Sequence, residues 1–220
     1  MQKNLRGGIV MEEYHKIVGL FERDHSTKKL IEGKYTNETI EYLKDSIWEF
    51  TEKIDGTNIR IIWDGYRVSF AGRTDKAQIP VELSNRLFEL FGGESNEQLF
   101  EQKFGQNRVM LCGEGYGKGI QTGDVYSDKQ DFILFDVKIC EHWQPRTSVV
   151  DIADYFGIKV VPILLTGTLN DGVEFVKTKP LSKVAKNECV IEGIVGRTKV
   201  ELNDRCSNRA IVKIKVRDFI

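Results

Sequence analysis

Residues 52–58 read EKIDGTN, set between WEFTEKID (48–55) and TNIRIIWDGYRVSFAGR (57–73). Both flanking runs have the β-branched and aromatic content of strands, and Asp64-Gly65 between two such runs signals a hairpin. On a strand, Lys53 and Asp55 would point to one face, and Gly56 would let a ligand approach the backbone. Taken alone, K-x-D-G is a combination of common residues, and the reading it favours is that Lys53 is a surface cation beside a turn. Its meaning depends on the rest of the chain.

Moving outward, NETIEYLKDSIW (37–48) has helical spacing, with Thr36 or Asn37 as cap. VELSNRLFELF (81–91) and ESNEQLFEQKF (94–104) read as amphipathic helices, and TSVVDIADYFG (147–157) as a helix capped by Thr147 or Ser148 and stopped by Gly157. VMLCGEGYG (109–117), DFILFDVKIC (131–140), ECVIEGIVGR (188–197) and NRAIVKIKVRDF (208–219) read as strands. Strands in hairpin-like succession with helices inserted predict an α+β fold of largely antiparallel sheets flanked by helices. No Pro/Gly-rich linker divides the chain, so residues 1–220 are expected to form one domain. Met11 is a candidate start, which would make residues 1–10 a dispensable extension.

The bulk properties narrow the function. A chain of 220 residues with 40% hydrophobic and 30% charged residues builds a core without metal or disulfide staples. A net charge of −1 excludes a polycation that coats nucleic acid, so any such contact needs a local patch. The stretch from Arg197 to Arg217 supplies one, with seven basic residues against two acidic. The four cysteines and three histidines are scattered, without zinc-ligand spacing. Three of the cysteines lie in apolar runs and are expected to be buried. No apolar run approaches the 18 residues of a membrane span and no signal peptide opens the chain, which predicts a reducing, cytoplasmic setting.

Polar residues embedded in the predicted strands carry the chemical reading. Arg73 ends FAGR, Glu114 lies in GEGYGKGIQ, Phe135 and Asp136 lie in FILFDV, Glu192 lies in VIEGIVGR, and Lys213 and Lys215 lie in IVKIKV. Singly, each has a plain structural alternative: Phe135 as core, Glu192 as an edge charge, the two lysines as a solvated face. In order, Lys-x-Asp-Gly, Glu-Gly, Phe-Asp, Glu-Gly and Lys-x-Lys resemble the motif series of the covalent nucleotidyltransferases. Within that superfamily the chain is most similar to the nick-sealing RNA ligases of phages and kinetoplastid RNA editing. Asn58 stands where DNA ligases and capping enzymes generally carry arginine.

The resemblance implies an ATP-grasp-like nucleotidyltransferase domain that forms lysyl-AMP and passes AMP to a 5′-phosphate RNA end at the nick of a duplex being sealed. It implies Lys53 as nucleophile and Lys213 and Lys215 as catalytic phosphate contacts. Glu52, Asn58, Arg73, Glu114 and Phe135 would bind nucleotide, with Glu114 on a ribose hydroxyl and Phe135 stacked on the purine. Glu192 and Asp55 would serve Mg²⁺ or Mn²⁺. A free lysine has a pKa of about 10.4, so at pH 7 only roughly one amine in 2,500 is unprotonated and the site must assist. The family usually continues past Lys-x-Lys into a further domain, whereas this sequence ends at Ile220. The expectation is therefore no C-terminal OB-fold, ready self-adenylylation, slow sealing alone, and a partner protein in place of the domain. A GTP-using capping guanylyltransferase and a non-catalytic nucleotide- or RNA-binding module are the alternatives.

Overall fold

The computed structural model describes residues 13–219; the proposed extension at 1–10 lies outside them. The chain begins with β1 (Val18–Gly19), β2 (Phe21–Arg23), β3 (Leu30–Tyr35), α1 (Glu38–Tyr42) and β4 (Trp48–Lys53). There follow β5 (Thr57–Trp63), β6 (Val68–Gly72), α2 (Val81–Phe91), α3 (Glu94–Phe104), β7 (Val109–Tyr116), β8 (Asp131–Ile139) and β9 (His142–Trp143). The last part contains α4 (Arg146–Phe156), β10 (Lys159–Val160), β11 (Ile163–Gly167), α5 (Leu169–Lys177), β12 (Gly193–Thr198) and β13 (Ile211–Lys215).

The fold is α+β, with two main sheets that are mostly antiparallel. The first has the order β1-β13-β12-β4-β11, the second β10-β8-β7-β5-β6, and β2 and β3 form a separate pair. Parallel pairing occurs between β1 and β13 and between β10 and β8. Period-2 alternation sorts the first sheet: Phe50, Ile194, Val212 and Ile214 join a buried cluster with Leu169, Val173 and Val176 of α5. The second sheet packs Ile59, Ile61, Leu111 and Leu134 against Leu83, Leu87 and Phe91 of α2 and Phe100 of α3. Each sheet thus has one helix-covered face, and their remaining faces converge on a cleft.

The predicted helices 81–91 and 94–104 form with those bounds. Asp64 Oδ1 accepts the backbone N–H groups of Tyr66 and Arg67, both at 2.8 Å, which closes the expected hairpin between β5 and β6. Other expectations need correction. The helix over 37–48 is confined to Glu38–Tyr42, although Asn37 caps it. Fully buried Trp48 instead opens β4 and donates its indole N–H to Leu43 O at 2.9 Å. The helix at 147–157 starts at Arg146 after Pro145, with no side-chain cap, while Gly157 ends it in the left-handed conformation as predicted. Residues 188–192 precede β12 rather than belonging to it, and 216–219 form a 3-10 turn. Of the cysteines in apolar runs, Cys112 is buried but Cys140 is exposed and Cys189 half-buried.

Candidate active site

Strand register assembles the polar residues. Gly193, the first residue of β12, lies opposite Lys53 of β4 on one side and Lys215 of β13 on the other. Glu192, one residue earlier, therefore emerges between the two lysines. Its Oε2 accepts from Lys53 Nζ at 2.6 Å and its Oε1 from Lys215 Nζ at 2.6 Å. The glycine is required by packing: a Cβ at Gly193 would stand 2.2 Å from the Ile214 carbonyl oxygen. Gly56 has a similar explanation, since a Cβ there would meet the Gly115 carbonyl oxygen at 2.3 Å. The close approach of the neighbouring strand β7 is enough to require glycine there.

Lys53 stands in a cleft bounded by strands of both main sheets. Glu52, Asn58, Glu114 and Phe135 also line it, as do Tyr14 and Ile17. Glu52 is buried; its carboxylate accepts from the Ser182 hydroxyl and from the Lys183 N–H at 2.9 Å. Burial nevertheless pushes its pKa above the ordinary value. Asn58 Oδ1 is buried without a hydrogen-bond partner, an acceptor that a ligand donor would satisfy. Phe135 is half-buried, edge-on to Tyr14 at 5.3 Å, so the ring is both packed and presented to the cleft.

Burial, and then the neighbouring carboxylates, push Glu114 up to about 8, with Lys53 opposing the rise. Its folded pKa exceeds its ordinary 4.5, so the folded state holds an extra proton between these values. The stability linked to that proton is fully present below the unfolded pKa and is lost as pH rises through about 8. Glu114→Gln lacks this loss. Thermal melts at pH 6 and pH 9 should show the variant gaining several degrees on the unaltered protein at the higher pH; a pH-independent difference would contradict the assignment.

Lys213 and Lys215 share a face of β13, with Val212 and Ile214 buried on the other, as predicted. Burial, followed by the charges of Lys215, Lys53 and Lys16, depresses the Lys213 pKa. Four residues depart from the sequence expectation. Asp55 lies beyond the end of β4 and does not share a strand face with Lys53; its carboxylate accepts from Thr122 Oγ1 at 2.5 Å. Arg73, just after β6, is exposed and outside the cleft lining. Within the basic stretch, Arg197 and Arg209 are committed to buried Asp136, so they do not form part of a free phosphate-binding face.

That buried network was not legible in the sequence. Asp136 receives Arg197 Nη1 at 2.9 Å, Arg209 Nη1, and the Tyr14 hydroxyl at 3.0 Å. Arg197 Nη2 also donates to the Phe135 carbonyl oxygen at 2.9 Å, which fixes the backbone beneath the ring. Among the described residues, no group of three or more His, Cys, Asp or Glu side chains is placed to hold a metal. Glu192 fits a hard cation retained chiefly by phosphate oxygens and water, which requires only one or two protein carboxylates.

The family model described as RNA ligase matches residues 46–215, spanning every strand that builds the cleft from β4 to β13. Solved structures of Naegleria gruberi RNA ligase variants share the fold. One, with ATP and Mn, aligns at a TM-score of 0.64 and 20% identity, covering 93% of this chain and 56% of that one. Another, without ligand, gives 0.63 and 17%, covering 94% and 58%. The chain thus spans little more than half the length of those ligases. No curated protein matches it in sequence.

Proposed function

The chain belongs to the RNA ligase family, and from that premise we propose that it uses ATP to adenylylate Lys53 and passes the AMP to a 5′-phosphate RNA end. The observation that carries this reading is the Lys53–Glu192–Lys215 chain, whose Lys53 lines the cleft between the two sheets. The ATP and Mn named for the Naegleria ligase structures support the choice of nucleotide and a divalent metal, Mg²⁺ or Mn²⁺.

In the proposed step, Lys53 Nζ forms a bond to the α-phosphorus as the bond to the β-phosphate oxygen breaks, and pyrophosphate leaves with the electron pair. Lys53 must first shed a proton, and Glu192 Oε2 is the acceptor already in contact. Lys213 and Lys215 neutralise phosphate charge; Glu114 and Asn58 offer acceptors to the nucleoside, and Glu52 an acceptor toward the base. Glu192 would hold the metal, which supplies further charge neutralisation when bound; Asp55 could join it only by releasing the Thr122 hydroxyl. Arg73 is assigned to the RNA 5′-phosphate at the rim.

The test begins with purified lysyl-AMP protein and a nicked duplex carrying a 5′-phosphate. AMP transfer and sealing should occur with RNA at the nick and weaken at high salt, as expected where contacts are largely to phosphates. Efficient sealing of all-DNA nicks with no action on RNA would overturn the RNA assignment. Phe135→Ala should weaken ATP use by roughly 1–3 kcal/mol, the range for an aromatic surface stacked on a base. Phe135→Trp should retain most of it. A large loss of melting temperature in both variants, with ATP affinity unchanged, would assign the ring to packing alone.

A further inference from the structure

The cleft continues into an open groove at the outer edge of the first sheet. Ile17 lines both, and the groove adds Lys16, Lys213, Lys215 and Arg217. It forms because β1 pairs in parallel with β13, Val18 opposite Val212 and Gly19 opposite Lys213, and Leu20 N–H donates to Lys213 O at 3.1 Å. The acidic residues of the groove are already engaged: Glu22 pairs with Lys34 at 2.6 Å and Asp218 with Arg23 at 2.5 Å. Lys16, Lys213 and Arg217 make no ion pair among the described residues. Three unbalanced cations, one of them half-buried, line a channel that opens beside the Lys53–Glu192–Lys215 chain. Lys16 also contributes to the depressed pKa of Lys213, an independent sign that the two ammonium groups are close.

Across the sheet the order is Lys53 on β4, Gly193 on β12, Lys215 on β13, and then β1. The groove therefore lies on the far side of Lys215 from the nucleophile. An anion whose inner phosphorus is at Lys53 and whose remaining charge must be carried outward would find its counter-charges there. Resting on the proposed nucleotidyl transfer, we propose that this groove holds the two outer phosphates of ATP, and that Lys16 and Arg217 stabilise the departing pyrophosphate. As the bond between the α-phosphorus and the bridging oxygen breaks, that oxygen takes the electron pair, and the two side chains meet the charge that develops on the product.

The test separates the steps. Lys16→Ala, Lys16→Gln, Lys16→Arg and Arg217→Ala are made in the full chain, and melts establish that each folds. Three quantities are measured: lysyl-AMP formation against ATP concentration, pyrophosphate-driven discharge of purified lysyl-AMP protein, and AMP transfer from that protein to a nicked duplex. Lys16→Ala, Lys16→Gln and Arg217→Ala should slow the first about tenfold or more and raise the pyrophosphate concentration needed for the second by a similar factor. The third should be unchanged, and Lys16→Arg should retain most of all three. Unchanged formation and discharge would overturn the inference, as would a loss confined to transfer, which would assign the groove to the polynucleotide. Absence of lysyl-AMP in the unaltered protein would instead overturn the functional reading on which the inference rests.

Discussion

Lys53→Ala should reduce covalent AMP labelling to background, and Lys53→Arg should fail equally. The two variants fail for different reasons. Alanine removes the nitrogen, whereas arginine retains a cation opposite Glu192 but stays protonated and cannot supply a free amine. The lysine side chain is 22% exposed and Glu192 16%, so the nucleophile is reachable from the cleft yet shielded from bulk water. Neither substitution alters the β4–β12 ladder, because that pairing is made by backbone, and both variants should melt near the unaltered protein. Removing one partner of a half-sheltered ion pair costs at most a modest amount of stability. Undiminished labelling of either variant would remove Lys53 from the mechanism. Acid-labile and alkali-stable labelling of the unaltered protein would identify the bond as a phosphoramidate.

The second large effect is structural. Asp136→Ala should destabilise the protein by about 3–5 kcal/mol, the cost of leaving buried charges without their partner. Asp136 is fully buried, and the Arg209 side chain is 3% exposed against 12% for Arg197. Burial favours the neutral acid, yet Arg197 and Arg209 hold the Asp136 pKa below its ordinary 3.8. Because the folded pKa is depressed, this stabilisation is present above the unfolded pKa and is lost as pH falls through the folded one. Arg209 keeps Glu201 as a second partner and lies over the Trp143 ring at 4.3 Å, whereas Arg197 would retain the Phe135 carbonyl. Arg197 would then be anchored by that carbonyl bond without its Asp136 partner, so the backbone under Phe135 is held less firmly and the variant should also lose ATP affinity. Urea unfolding checks the first effect; a loss below about 1 kcal/mol would show that the network does not bear on stability.

What could be read in the sequence follows what local physics determines. Amphipathic spacing in 81–91 and 94–104, and Asp-Gly between β-rich runs, are local signals, and those elements formed where predicted. The ordered polar residues were legible because chemistry demands their types: Lys53, Glu192 and Lys215 do meet, and Lys213 and Lys215 do share a face. Non-local pairing was not legible. β1 has two residues and exists because it lies against β13, so nothing in Val18-Gly19 announces a strand or the position of Lys16. Arg197 and Arg209 read as surface cations in a basic run, but the side chain that neutralises them is 61 and 73 residues away. By contrast, α5 carries a local signal in its Thr168/Asp171 capping box, although no helix is expected there from the periodicity.

The central claim is that Lys53 carries AMP. Its most direct measurement is the mass of the unaltered protein after incubation with ATP and Mg²⁺, followed by peptide mapping and a parallel incubation with GTP. The account predicts one added AMP, located on Lys53, with no comparable adduct from GTP. An adduct on another residue, a GMP adduct alone, or bound ATP with no covalent product would contradict it.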